Sequence, residues 1–95
     1  MKIHTFEIIL KDEFDCEEQD GFLVVPAGVR TTVLVSSGDS LMPVARVRRV
    51  RITDDFVELI SEEERYFVTP MDLFAVKQED YEQEKTATRP GFNRG

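Results

Sequence analysis

Apolar and polar positions alternate with a period of two over much of the chain between Lys2 and Val68, the repeat of half-buried strands. His4, Phe6, Ile8 and Leu10 share one parity, which predicts a first strand over residues 2–10. The next stretch, residues 11–21, is crowded with carboxylates and ends in the turn dipeptide Asp20-Gly21, so it reads as an acidic loop. Phe22-Leu23-Val24-Val25 is a short apolar run that stops at the bend Pro26-Ala27-Gly28. The clearest strand follows. Val29, Thr31, Val33 and Val35 face one way, Arg30, Thr32, Leu34 and Ser36 the other, and Ser37-Gly38-Asp39-Ser40 turns the chain.

After a loop ending at Pro43, the segment VARVRRVRI alternates apolar residues with arginines but contains one fault, because Val47 and Val50 are an odd number of positions apart. A β-bulge at Arg48-Arg49 absorbs the extra residue and returns Val44, Val47, Val50 and Ile52 to one side. Turn residues at Thr53-Asp54-Asp55 and at Glu62-Glu63 then separate the runs 56–60 and 65–68, which makes a three-strand meander. Thr69-Pro70-Met71-Asp72 has a capping residue, proline in the first helical position and a carboxylate behind it, so one helical turn is expected, with Leu73 and Phe74 entering the core. A short last strand is expected around Ala75 to Lys77. The expected core comprises Phe6, Ile8, Val33, Val35, Val47, Val50, Ile52, Leu59, Phe67 and Phe74.

These elements describe an all-β domain over residues 1–77. Its expected form is a small, partly open, SH3-like barrel with an antiparallel meander, a bulged middle strand and one helical turn near residues 70–74. The likeness is one of architecture. The chain lacks the aromatic-acidic segment of peptide-binding SH3 domains and the glycine-centred pattern of their ribosomal and transcription-factor counterparts. Residues 78–95 are polar, with Arg89-Pro90-Gly91 opposing any helix, and read as a flexible tail whose Tyr81 and Phe92 are the candidates for contact with a partner.

Composition narrows the choice of chemistry. The chain has 95 residues, a formal charge of -7 and a single cysteine, which fits one small domain and excludes an internal disulfide. One histidine and one cysteine cannot assemble a closed zinc site. The apolar stretches fall short of a membrane span, and the expected location is the cytoplasm. No catalytic residue is assigned. His4 has no nucleophile placed beside it by any motif, and Cys16 sits among Asp15, Glu17 and Glu18, whose charge disfavours the thiolate. A calcium loop starting at Asp15 would need glycine at Asp20 and a bidentate Glu at Pro26, so no metal is assigned either. No phosphate-binding glycine loop occurs, and neither an enzyme nor a cofactor is expected.

What remains is arginine. Residues 1–43 carry three basic against eight acidic groups, residues 44–53 four against none, and residues 54–95 five against eleven. Only the segment with Arg46, Arg48, Arg49 and Arg51 is positive, and Arg30 is expected nearby. Three uses compete: internal pairing with Glu58 and with Glu62 to Glu64, docking of an acidic protein, or binding of RNA or single-stranded DNA with Tyr66 or Phe67 as a stacking surface. Net negative charge opposes the last. The expected function is therefore a non-enzymatic protein-interaction or assembly module, acting on another protein or on itself through Arg30, Arg46, Arg48, Arg49, Arg51 and Tyr66, with single-stranded nucleic acid as the alternative ligand.

Overall fold

The structure is a computed structural model and describes residues 1–80. It is mostly β. Strands β1 (Glu17–Gln19), β2 (Phe22–Val24), β5 (Arg49–Ile52), β6 (Val57–Ile60) and β7 (Arg65–Val68) form a five-stranded antiparallel sheet in the order β1-β2-β5-β6-β7. Strands β3 (Val29–Ser37), β4 (Ser40–Val44) and β8 (Leu73–Asp80) form a second, three-stranded antiparallel sheet in the order β4-β3-β8. The sheets share one core and leave the barrel partly open. One turn of 3₁₀ helix, Pro70–Asp72, leads from β7 into β8, with Thr69 Oγ1 donating to Asp72 Oδ2 at 2.7 Å.

The amino-terminal segment corrects the expected strand over residues 2–10. Residues Ile3–Ile8 form a helix, α1, that continues as a π-helical turn over Ile9–Glu13. Phe6 and Leu10 fit both readings, being alternate in a strand and one turn apart in a helix. Helical spacing buries both of them completely and packs Ile3 and Phe14 against the core, whereas it leaves His4 exposed and Ile8 41% exposed. An ion pair between Glu7 and Lys11, four residues apart at 3.4 Å, lies on the solvent side. The acidic stretch behind it is likewise more ordered than a loop, since Glu17 to Gln19 pair with β2.

Two changes affect the middle of the chain. Ser40–Val44 is a strand, β4, paired with β3. Its exposed Leu41, Met42 and Pro43 show no two-sided alternation, because this is an edge strand. The expected continuous strand through VARVRRVRI is instead divided between the sheets. Arg46 adopts φ 58° and turns the chain, and Val47 N–H bonds to the Thr31 carbonyl at 3.0 Å before β5 begins in the other sheet. The bulge is present at the entry to β5: Arg49 is opposite Ile60 in the register, and Arg48 N–H also donates to the Ile60 carbonyl at 2.8 Å. Val44, Val47 and Val50 are all buried as a result, and Ile52 is half-buried.

Val33, Val35 and Leu59 complete the expected part of the core, together with Leu23, Val25, Val57, Val68 and Leu73. Phe67 and Phe74 do not join it, being 56% and 57% exposed. In β7 the buried parity is that of Tyr66 and Val68, so Phe67 emerges on the outside of the five-stranded sheet. Strand β8 continues through Gln78, Glu79 and Asp80, opposite Thr31, Arg30 and Val29.

Candidate functional site

The turn at Arg46 sends the clustered arginines to two different surfaces. Arg49 and Arg51 stand on the outer face of the five-stranded sheet, because alternation within β5 turns Val50 inward. Arg51 is opposite Glu58 in the register, and Arg65 reaches the same carboxylate from β7. Arg51 Nε donates to Glu58 Oε1 at 2.8 Å and Arg65 Nε to Oε2 at 2.7 Å, leaving the Glu58 side chain only 2% exposed. The cover is one layer of side chains over an outward-facing carboxylate. Burial pushes its pKa up, but the two guanidinium hydrogen bonds and charges outweigh burial and hold the group below the ordinary glutamate value.

Aromatic rings complete this face. The guanidinium carbons of Arg49 and Arg51 lie 4.8 and 5.9 Å from the centre of the Phe22 ring, Arg51 is also 5.4 Å from Phe56, and Arg65 is 5.2 Å from Phe67. Phe56 and Phe67 meet edge to face at 5.4 Å. The positive charges here are thus spread over ring faces and one shared carboxylate.

Arg30, Arg46 and Arg48 line a different feature, a cleft of about 490 Å³ bounded also by Ala27, Gly28, Val29 and Glu62. It adjoins a second cleft of about 550 Å³, which shares Arg30, Arg46 and Glu62 and extends past Pro43, Glu63, Glu64 and Tyr66, between the outermost strands of the two sheets. Arg48 Nη1 donates to the Val29 carbonyl at 3.3 Å, Arg30 is 3.9 Å from Glu79, and among the described residues no ion pair or hydrogen bond holds Arg46. Tyr66 donates to Glu64 Oε1 at 2.5 Å, a bond to a carboxylate that raises its phenol pKa.

The six residues selected from the sequence therefore divide into Arg30, Arg46, Arg48 and Tyr66 around the joined clefts and Arg49 and Arg51 on the outer sheet. Arg65, Phe22 and Phe56 were not among the candidates. Their signal was a register relationship rather than a local motif: only the β6–β7 pairing brings Arg65 beside Glu58. Tyr81 and Phe92 lie outside the described residues. His4 occupies the solvent side of α1, not the apolar face of a strand that it was expected to share with Phe6, Ile8 and Leu10. Cys16 is buried, and its thiol is pushed up to about 11 by burial first and by the Asp15 charge second. Among the described residues, no three His, Cys, Asp or Glu side chains are grouped to hold a metal ion, and no helix is long and apolar enough to cross a membrane. Compared with known protein families, curated proteins and solved structures, the chain matches none.

Proposed function

We propose that this domain is a non-enzymatic interaction module that takes an acidic segment of another protein into the cleft of Arg30, Arg46 and Arg48. One contrast carries the reading. On the outer face Glu58 takes both Arg51 and Arg65 at 2.7–2.8 Å and Arg49 lies over the Phe22 ring, while in the cleft, among the described residues, no ion pair or hydrogen bond holds Arg46. Arg46 also holds a left-handed backbone conformation that disfavours side chains with a Cβ, and such conformations concentrate at functional positions. Guanidinium forks match carboxylates in geometry and charge. On this reading the module works in the cytoplasm, and its architectural counterpart is the SH3-like barrel.

Nucleic acid is the weaker ligand for this arrangement. A strand of phosphates needs a continuous positive track, but the arginines are divided between two surfaces and Glu62, Glu63 and Glu64 line the neighbouring cleft. The test is a pair of titrations at low and physiological salt, one with labelled Asp/Glu-rich peptides and one with short single-stranded oligonucleotides. Salt-sensitive peptide binding that weakens about tenfold or more in an Arg30→Gln, Arg46→Gln, Arg48→Gln variant of unchanged stability is the expected result. Tighter binding of the oligonucleotide than of any acidic peptide would overturn it.

A further inference from the structure

The four outer strands of the two sheets are not equally protected. An unguarded edge offers unpaired N–H and C=O groups to another strand, and edges are usually blunted by charge or proline. Strand β1 carries exposed Glu17 and Glu18, β4 carries Pro43, and β8 carries Lys77, Glu79 and Asp80. Strand β7, Arg65-Tyr66-Phe67-Val68, has no proline and a single charge, Arg65, which is already engaged by Glu58, and Phe67 is 56% exposed beside it.

The direction of its backbone groups follows from the turn that precedes it. Ser61 N–H donates to the Glu64 carbonyl at 2.9 Å, so the hydrogen-bonded pairs between β6 and β7 step by two from there, to Leu59 with Tyr66 and Val57 with Val68. Tyr66 and Val68 thus spend their N–H and C=O groups on β6. Those of Arg65 and Phe67 point away from the sheet, where β7 has no neighbouring strand among the described residues.

A two-fold axis normal to the sheet keeps the buried face of each copy inward only when residues of like parity meet across the edge. Centred on Arg65, the pairing sets two guanidiniums opposite each other, which is unfavourable. Centred on Phe67, it leaves the outward groups of Arg65 without a partner inside the strand. Centred on Tyr66, it sets Arg65 opposite Phe67 twice, engages every outward N–H and C=O of both strands, and places each cation against an aromatic ring, the pairing that Arg65 and Phe67 already make within one chain at 5.2 Å.

We infer that β7 pairs antiparallel with β7 of a second copy, with Tyr66 on the two-fold axis and each Arg65 opposite Phe67 of the other copy. The result is one continuous ten-stranded sheet. A four-residue edge falls well short of the roughly 1,200 Å² buried by specific stable interfaces, so this is a weak, concentration-dependent dimer. The assignment does not depend on the cleft reading, although Tyr66, which it places on the two-fold axis, also lines the second cleft.

Sedimentation of the full chain over rising concentration tests it, with circular dichroism confirming the fold of each variant. The expected result is a weak dimer whose dissociation constant rises roughly three- to thirtyfold for Phe67→Lys, which faces Arg65 of the other copy, but changes less than about threefold for Phe67→Glu. Equal weakening by both would put Phe67 on the axis and overturn the register. A monomer at millimolar concentration would overturn the dimer. As a second measurement, Tyr66→Cys is expected to form a disulfide-linked dimer on mild oxidation, because non-hydrogen-bonded partners on an axis sit about 4.5 Å apart at Cα, within disulfide reach. Cross-linking of Phe67→Cys in preference to Tyr66→Cys would again overturn the register.

Discussion

Arg51 Nε lies 2.8 Å from Glu58 Oε1 across the β5–β6 register, and the carboxylate it holds is almost entirely covered although it faces outward from the core. Removing the acid leaves two guanidiniums side by side. Glu58→Gln is therefore expected to destabilise the domain by about 1–3 kcal/mol at neutral pH, measured by urea unfolding.

The same ion pairs set an acid response. Glu58 titrates below its unfolded value, so its contribution is fully present above the unfolded glutamate pKa of about 4.3 and is lost as pH falls through the lower folded value. Unfolding free energy measured from pH 6 downward is expected to drop less steeply below about 4.3 in Glu58→Gln than in the parent.

Burial separates two residues that the sequence places in one class. Leu59 is fully buried and Phe67 is 56% exposed. Leu59→Ala is expected to cost about 2–5 kcal/mol, whereas Phe67→Ala is expected to cost less than about 1 kcal/mol, because it removes ring contacts on the surface without opening a cavity. Equal losses would contradict the face assignment of β7.

Backbone strain at Arg46 predicts opposite effects on folding and binding. Arg46→Gly removes the Cβ that disfavours φ 58° and is expected to leave stability unchanged or raise it by up to about 1 kcal/mol, while weakening acidic peptides. Arg46→Val, β-branched at the same position, is expected to lower stability by about 1–3 kcal/mol. Thermal unfolding with the peptide titration separates the two.

The Cys16 thiol, pushed up to about 11 by burial and by Asp15, is expected to react with a thiol reagent far more slowly in the native protein at pH 8 than in urea. Because the folded pKa is raised, the associated stability is fully present below the unfolded value near 8.5 and declines as pH rises through about 11. Cys16→Ser is expected to remove that part of the alkaline decline.

Much of the sheet structure was legible from alternation, turn residues and proline placement, as in β3, β6 and the Thr69-Pro70 turn. Even the bulge at Arg48-Arg49 could be read from one misplaced valine interval. The helix was hidden because Phe6 and Leu10 satisfy periods of two and of four alike, and partial burial of Ile3 with exposure of Ile8 is a tertiary outcome. The Arg51–Glu58 pair was within reach as one of three competing uses of the arginines. The separation of Arg46 and Arg48 from Arg49 and Arg51 was not, because it depends on one left-handed residue that local composition does not announce. Phe67 went to the wrong face because an aromatic ring beside arginines is stable on the surface as well as in the core.

The central position of β3 has a further consequence for how the chain acquires its structure. Its pairing with β4 closes through a short turn, and β5, β6 and β7 are likewise joined by short turns, whereas its pairing with β8 joins positions about forty to fifty residues apart. Loop closure makes that last union the most entropically demanding step, so the hairpins are expected to form first and β8 to dock late. A truncation of Val76 to Ala should then hasten unfolding while leaving the refolding rate nearly unchanged, and Val57 to Ala should slow refolding. Until β8 arrives, the nine-residue strand at the centre of the second sheet is an open edge, and those moments are when a nascent copy of this chain is most exposed to pairing with the wrong strand.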